Sequence, residues 1–293
     1  MTDKLRNDHL IDELPSARRA ERLQPGSDEW RASYTASKIA PILDVSPWST
    51  SFTLWLEMRG EYTPPPPTGS QLARGSHLED GIARWWAEDH PGWEVYGEAT
   101  YQSTGTSWAY ATPDRVLRDE DGGLALLEIK TNASMHARWD TTTGEIPPQY
   151  LAQIMWQAYV TGIRRVFVTC LGPFLQRMDF EFEFTDAELG ILLGAVSDFR
   201  ASVAEGSMPP VVDVERDLPA LLATTEVERE EADVTAAFDE YRRLKLEQRD
   251  LDARVARIRA EMSAKGADAE CLVAGGRVVA DRQGGKFRFK PVR

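Results

Sequence analysis

Thr112-Pro113-Asp114 is followed, after 13 intervening residues, by Glu128-Ile129-Lys130. In an extended chain alternate side chains share a face. Glu128 and Lys130 would therefore project together, while Ile129 turns the other way into apolar packing beside Leu127. Charges on a buried strand are expensive, so a Glu and a Lys placed there need a reason. The Asp121-Gly122-Gly123 turn between the two stretches can bring them side by side. Asp114 and Glu128 would then be oxygen donors for a hard divalent cation, with Lys130 next to them. Such a set suits hydrolysis of a phosphodiester. The cation polarises the phosphate and lowers the pKa of an attacking water, and the lysine orients that water or offsets developing charge. Taken singly, Glu-x-Lys is more often an ion pair along a strand, and Pro-Asp a turn. Order, spacing and strand context together favour the chemistry.

The flanking sequence has to build a sheet and helices to hold these residues. Residues 93–101 (WEVYGEATY) alternate as a strand, 108–118 (WAYATPDRVLR) give a second and 124–131 (LALLEIKT) a third, forming a meander. Before them, 71–90 carry Leu72, Leu78, Ile82 and Trp85/Trp86 at helical spacing. After them, Pro147-Pro148 opens a helix stopped by Gly162, and RRVFVTCLG and RMDFEFEF read as strands. A helix capped by Thr185 then ends at Gly206. This order predicts an α/β core: a mixed central sheet flanked by helices. Residues 1–27 read as a loose or partly helical arm, 28–208 as the core, and 209–293 as a C-terminal extension. Within that extension a long helix spans about 226–265, with Val234, Phe238, Tyr241, Leu244, Leu251, Val255, Ile258 and Met262 along one stripe. The stripe is expected to pack on its own domain, because Lys245 and Gln248 interrupt it as a coiled-coil seam. A hairpin about Gly275-Gly276 and a basic tail (Lys286, Arg288, Lys290, Arg293) follow. Pro64 to Pro67 must be loop.

Composition excludes some classes. No apolar run reaches the roughly 18 residues of a membrane span, and no membrane partner is expected. The N-terminus lacks an apolar h-region, and two cysteines cannot make a disulfide framework or zinc knuckle. The chain reads as cytoplasmic. The formal charge of −13 is unevenly placed: 179–240 contain 17 acidic and three basic residues, so the remainder is close to neutral and can face DNA. His9, His77, His90 and His136 have no ligand spacing and read as surface or packing residues. Trp48, Trp85, Trp86 and Trp93 read as core.

With Pro113-Asp114 and Glu128-Ile129-Lys130 in hand, the sequence resembles the PD-(D/E)xK nuclease superfamily, which has a restriction-endonuclease-like core. More narrowly it resembles the lambda exonuclease and YqaJ-like viral recombinase family. Supporting pieces are TASKIAPILDVSPWSTSFTLW (35–55), RGSHLEDGIARWW (74–86) and PQYLAQIMWQAYVTG (148–162), with the long helix and terminal hairpin in weaker support. The resemblance covers about 28–205.

The resemblance implies a Mg²⁺-dependent exonuclease (Mn²⁺ able to substitute) that degrades linear duplex DNA from its ends, 5′ to 3′, for recombination by single-strand annealing. It implies a single-strand annealing protein as partner, a ring-shaped trimer, and a phage or prophage origin in a bacterial host. Residue by residue, Asp114 and Glu128 match the metal carboxylates, Ile129 the residue whose carbonyl also ligates, and Lys130 the catalytic lysine. Glu79 matches the helix glutamate completing the metal site. Ser37, Thr112 and Gln153 match positions that contact the terminal phosphate or scissile strand. Ser37 could equally be a helix N-cap, and Gln153, with Gln149 and Gln157, a solvent-facing stripe. The family arginine normally follows its tryptophan by several residues. Here Trp30 and Arg31 are adjacent, and Arg31 is the equivalent that remains. Rival readings are another nuclease of the superfamily, in repair or defence, and a non-catalytic DNA-binding scaffold that keeps the fold. The intact Asp114, Glu128 and Lys130 argue against the scaffold.

Overall fold

The computed structural model describes residues 5–6, 9–65, 71–133, 139–224, 235–283 and 286–290. Pro66, Pro67, His136, Val234 and Arg293, singled out above, lie outside the described residues. The chain divides into two compact units, Met1–Glu226 and Val227–Arg293.

The first unit holds strands β1 (Leu5–Arg6), β2 (Glu13–Leu14), β3 (Ala17–Ala20), β4 (Tyr34–Thr35), β5 (Trp93–Tyr96), β6 (Thr100–Ser103), β7 (Ala109–Ala111), β8 (Arg115–Asp119), β9 (Leu124–Thr131), β10 (Arg165–Leu171) and β11 (Arg177–Glu183). Its helices are α1 (Asp28–Ala32), α2 (Ile39–Ile42), α3 (Ser51–Met58), α4 (Gln71–Asp89), α5 (Pro148–Thr161), α6 (Asp186–Glu205) and α7 (Val214–Thr224), with a 3₁₀ turn at Ala36–Lys38. The main sheet runs β1-β5-β8-β9-β10-β11, with β9 and β10 parallel and β8 antiparallel to β9. A second sheet runs β2-β3-β6-β7-β4.

Two of the continuous strands expected from sequence are each broken, and the break is what shapes the site. Residues 93–96 join the main sheet and 100–103 the second; 109–111 join the second and 115–119 the main. Pro113 lies in the second break, where it has no N–H to give a ladder. Asp114 therefore stands where the chain crosses between sheets. The residues expected to be an arm are also strand: β3 pairs with β6 through Ala17↔Ser103 to Ala20↔Thr100, and Ala17 is buried. Their short polar runs hide the pattern because one face of each strand is solvent-exposed.

α4 covers one face of the main sheet. Ile82, Ala83 and Trp86 pack on Val95, Leu117, Leu127, Ile129 and Phe167. α5 covers the other, starting with Pro148 in its first turn and ending at Gly162, whose φ of 76° lets the chain turn out of the helix. Trp156 of α5 donates its indole N–H to the carbonyls of Tyr34 (3.2 Å) and Tyr110 (3.0 Å), fastening the second sheet to the helix.

α7, which the sequence assigned to the C-terminal extension, is part of the first unit. Its Asp217 is fully buried and accepts from the hydroxyls of Thr50 and Thr53, and Arg216 donates to the Ser46 carbonyl at 2.6 Å. A buried carboxylate demands such donors, and the linker-like Pro209-Pro210 concealed them.

The second unit contains α8 (Thr235–Lys265) and strands β12 (Cys271–Ala274), β13 (Arg277–Gln283) and β14 (Lys286–Phe289) in one antiparallel sheet. Lys286 and Arg288 of the expected basic tail thus lie on a third strand, and Lys290 just beyond it pairs with Asp281 at 3.2 Å. The expected packing of the α8 stripe is also not what forms: Phe238, Tyr241, Leu244, Leu251, Val255 and Ile258 are exposed. Among the described residues no helix is long and apolar enough to cross a membrane.

Candidate active site

β9 points Leu127 and Ile129 at α4, and Glu128 and Lys130 at α5, as its period of two requires. Glu128 is fully buried. Its Oε1 accepts from Gln153 Nε2 at 2.5 Å and from the Lys130 ammonium, and its Oε2 accepts from Gln157 Nε2 at 2.8 Å. Gln153 and Gln157 of the glutamine stripe on α5 therefore face inward, not toward solvent as their polarity suggested. A desolvated carboxylate needs donors, and one helix face supplies two of them, four residues apart.

Asp114 reaches across from the start of β8. Its Oδ2 accepts from the Ile129 N–H at 2.6 Å. Because the N–H and C=O of one strand residue point to the same side, the Ile129 carbonyl also faces Asp114. Burial pushes the Asp114 carboxyl well above the usual range. The neighbouring Glu128 and Glu79 charges push it further, while Lys130 and the Ile129 N–H pull it back. For Lys130 burial alone would favour the neutral amine, but Glu128 and Asp114 outweigh it and the pKa rises. Its ammonium lies 5.2 Å from the centre of the Tyr150 ring, and Tyr150 in turn stands 6.4 Å from Trp48 and stacks on Trp139 at 5.4 Å.

Glu79 comes from α4, on the opposite face of the sheet, and is held at 2.6 Å by Arg115. Arg115 is 3% exposed and also binds Asp80 (2.5 Å) and the Asp114 carbonyl (2.5 Å). The sequence reading passed over this arginine, which follows Asp114 directly and faces α4 on the side where Glu79 lies. Glu79, Asp80, Asp114 and Arg115 line an open polar cleft with Arg22 and Glu98.

Among the described residues no three acidic, histidine or cysteine side chains converge into a ready-made cation cage. The donor set nonetheless fits a hard cation. The Glu128 and Glu79 charges both work against ionisation of the buried Asp114, and an oxygen-seeking divalent ion would relieve that repulsion.

The residues matched to phosphate contacts are less united. Thr112 exchanges a hydroxyl hydrogen bond with Thr100 (2.8 Å) and lines a cleft with Arg19 and Arg22; Arg22 and Glu98 belong to this cleft and the acidic one alike. Ser37 is exposed on the 3₁₀ turn, which packs on α5, and is 3.1 Å from the Thr35 hydroxyl rather than capping a helix. Gln153 serves Glu128. Arg31 pairs with Asp28 at 2.9 Å, and no interaction among the described residues joins it to Asp114, Glu128 or Lys130.

Beside Arg31 is a residue the sequence reading missed. Lys38 is 1% exposed and donates to the carbonyls of Trp30 (2.5 Å) and Ser33 (2.6 Å), with its ammonium 3.5 Å above the Trp30 ring. Burial lowers its pKa to about 7, with Glu57 opposing and Arg31 adding to the fall. Of the tryptophans read as core, Trp86 is buried, whereas Trp48 (68% exposed) and Trp85 are not. His90 stacks on Trp86 at 3.9 Å, a packing role as expected.

Residues 27–164 match the model of the YqaJ-like viral recombinase domain, and over this span the chain is similar to that family. The core is a mixed sheet flanked by helices, with Asp114 at the start of one strand hydrogen-bonded to the strand that carries Glu128 and Lys130. Among solved structures it is similar to an alkaline exonuclease (LHK-Exo) from Laribacter hongkongensis. That likeness has 20% identity and a TM-score of 0.46, over 61% of this chain and 94% of the other. LHK-Exo in complex with dAMP gives 19% and 0.48, over 61% and 91%. SSO0001 gives 10% and 0.40, over 72% and 91%. No curated protein matches.

Proposed function

We propose that this protein is a divalent-cation-dependent exonuclease that degrades linear duplex DNA from its ends, 5′ to 3′, for recombination by single-strand annealing. Mg²⁺ is the assigned cation, with Mn²⁺ able to replace it. The observation that carries the reading is the Asp114–Ile129–Glu128–Lys130 arrangement across β8 and β9. Asp114, Glu128 and the Ile129 carbonyl would hold the cation, with Glu79 from α4. When bound, the cation supplies charge to the phosphate and acidity to a coordinated water. Lys130, whose pKa Glu128 and Asp114 raise in the metal-free chain, is assigned to orient the attacking water or offset developing charge. Gln153 and Gln157 fix the Glu128 carboxylate so that it needs no reorientation during the reaction. Arg115 keeps Glu79 at the rim of the cleft. Thr112, Ser37 and Arg31 are assigned to the DNA strand and its terminal phosphate. A ring-shaped trimer, a single-strand annealing partner, and a phage or prophage setting in the bacterial cytoplasm complete the reading.

The test is digestion of linear duplex labelled at either end, with Mg²⁺, Mn²⁺ or chelator, and with 5′-phosphate or 5′-hydroxyl ends. Cation-dependent release of 5′ nucleotides, with closed circular duplex resistant, is the expected result. Digestion of closed circles at a similar rate, or cleavage in chelator, would overturn it.

A further inference from the structure

α8 carries a seam for which nothing among the described residues of its own unit provides cover. From Tyr241 the positions Leu244, Gln248, Leu251, Val255, Ile258 and Met262 follow in strict steps of three and four, the spacing of a heptad seam. Tyr241, Leu244, Leu251, Val255 and Ile258 are each 46–55% exposed. The β12–β14 sheet meets the C-terminal end of the helix, where Arg259 lies over Phe289 at 5.4 Å and Gly266 abuts Leu272 and Phe287. An exposed seam this long on a helix of 31 residues has the form of half a coiled coil. Lys245 does not interrupt it, since it flanks the seam; Gln248 is its one polar member.

The charges beside the seam indicate what covers it. We propose that α8 pairs antiparallel with α8 of a second copy of this chain. In that register Tyr241 lies opposite Ile258 of the second copy, Leu244 opposite its Val255, and Gln248 opposite its Leu251. Lys245 then borders Asp252 of the second copy, and Glu247 borders its Arg254; two-fold symmetry makes each attraction occur twice. Glu240 borders Glu261 of the second copy only at the ends of the seam; within its own helix Arg243 binds both Glu240 (2.6 Å) and Glu247 (3.0 Å), leaving Glu247 free oxygen valence for Arg254. A parallel pair would instead set Glu247 against Asp252 and Arg254 against Arg259, keeping only Glu240 with Lys245 attractive. Charge is thus complementary in an antiparallel self-pair and opposed in a parallel one, which sets the direction.

The proposal does not rest on the nuclease reading, and for a first unit that is a monomer or a trimer by itself the contact doubles the assembly. The mass of the full-length protein in solution, measured by light scattering, tests it. Leu251→Lys with Val255→Lys should halve that mass and leave the helical circular dichroism intact, since both residues are exposed. Glu247→Arg should weaken the association, and adding Arg254→Glu should restore it. An unchanged mass in the double lysine variant overturns the pairing, whatever else the helix binds. Stronger association in Glu247→Arg overturns the antiparallel direction, because that change would favour the parallel pair.

Discussion

The N–H of Ile129 donates to Asp114 Oδ2 at 2.6 Å, so the strand that carries Glu128 and Lys130 also fixes the aspartate opposite them. An asparagine at 114 could still accept that hydrogen bond through its side-chain oxygen. Asp114→Asn should therefore keep the fold but lose the charge a cation needs. Nuclease activity on end-labelled duplex should fall by on the order of 10²-fold or more, with circular dichroism and melting little changed. Wild-type digestion rates in this variant would remove Asp114 from the chemistry.

Lys130→Ala separates charge from positioning. It deletes a cation between two carboxylates, so turnover should drop steeply while affinity for DNA ends changes less. Binding measured by anisotropy in chelator and turnover in Mg²⁺ give the two numbers. Equal losses in both would make Lys130 a phosphate-binding charge only.

The β9 arrangement was legible in the sequence because a period of two fixes which side chains share a face, whatever surrounds them. The α5 glutamines were also visible, but their polarity pointed to solvent. Only the burial of Glu128, a tertiary fact, turns them inward. Arg115 and Lys38 escaped notice for the same reason: a lone basic residue in a short motif carries no signal of burial until its partners are placed. The division of residues 93–119 between two sheets needs the β3–β6 pairing, a contact between segments far apart in sequence. On α8 the pattern was readable, and what misled was the expectation that a stripe must find its cover within the same domain.

Gln157→Met would leave Glu128 Oε2 without its 2.8 Å donor inside the protein. A buried acceptor deprived of its partner costs about 1–3 kcal/mol, and an ionised one more. Chemical denaturation should show a loss of at least that size, together with reduced nuclease activity. Unchanged stability would mean that Glu128 finds another donor.

Lys38 predicts a pH dependence of stability. Its folded pKa of about 7 lies below the unfolded value, so between the two the unfolded chain binds the extra proton and stability rises with pH. The gain should run upward from about pH 7. Above roughly pH 8.5, where an unfolded cysteine loses its proton, Cys170 opposes it, since burial pushes that thiol up to about 12 and favours the protonated folded form. Lys38→Met should flatten the rise between pH 7 and 8.5 in denaturant titrations. A wild-type slope identical to that of the variant would show that Lys38 does not titrate there.

Trp48 stands 68% exposed, 6.4 Å from Tyr150, whose ring lies 5.2 Å from the Lys130 ammonium. An indole in that position can stack on a base of the strand entering the site. Base–aromatic stacking contributes about 1–3 kcal/mol per base. Trp48→Ala, made in the Asp114→Asn background so that the DNA stays intact, should weaken binding of a single-stranded end by roughly ten-fold, whereas Trp48→Phe should retain most of it. Because the side chain is exposed, melting temperature should stay put in both. Equal affinity for the alanine and phenylalanine variants would show that the indole is only a cover over Tyr150.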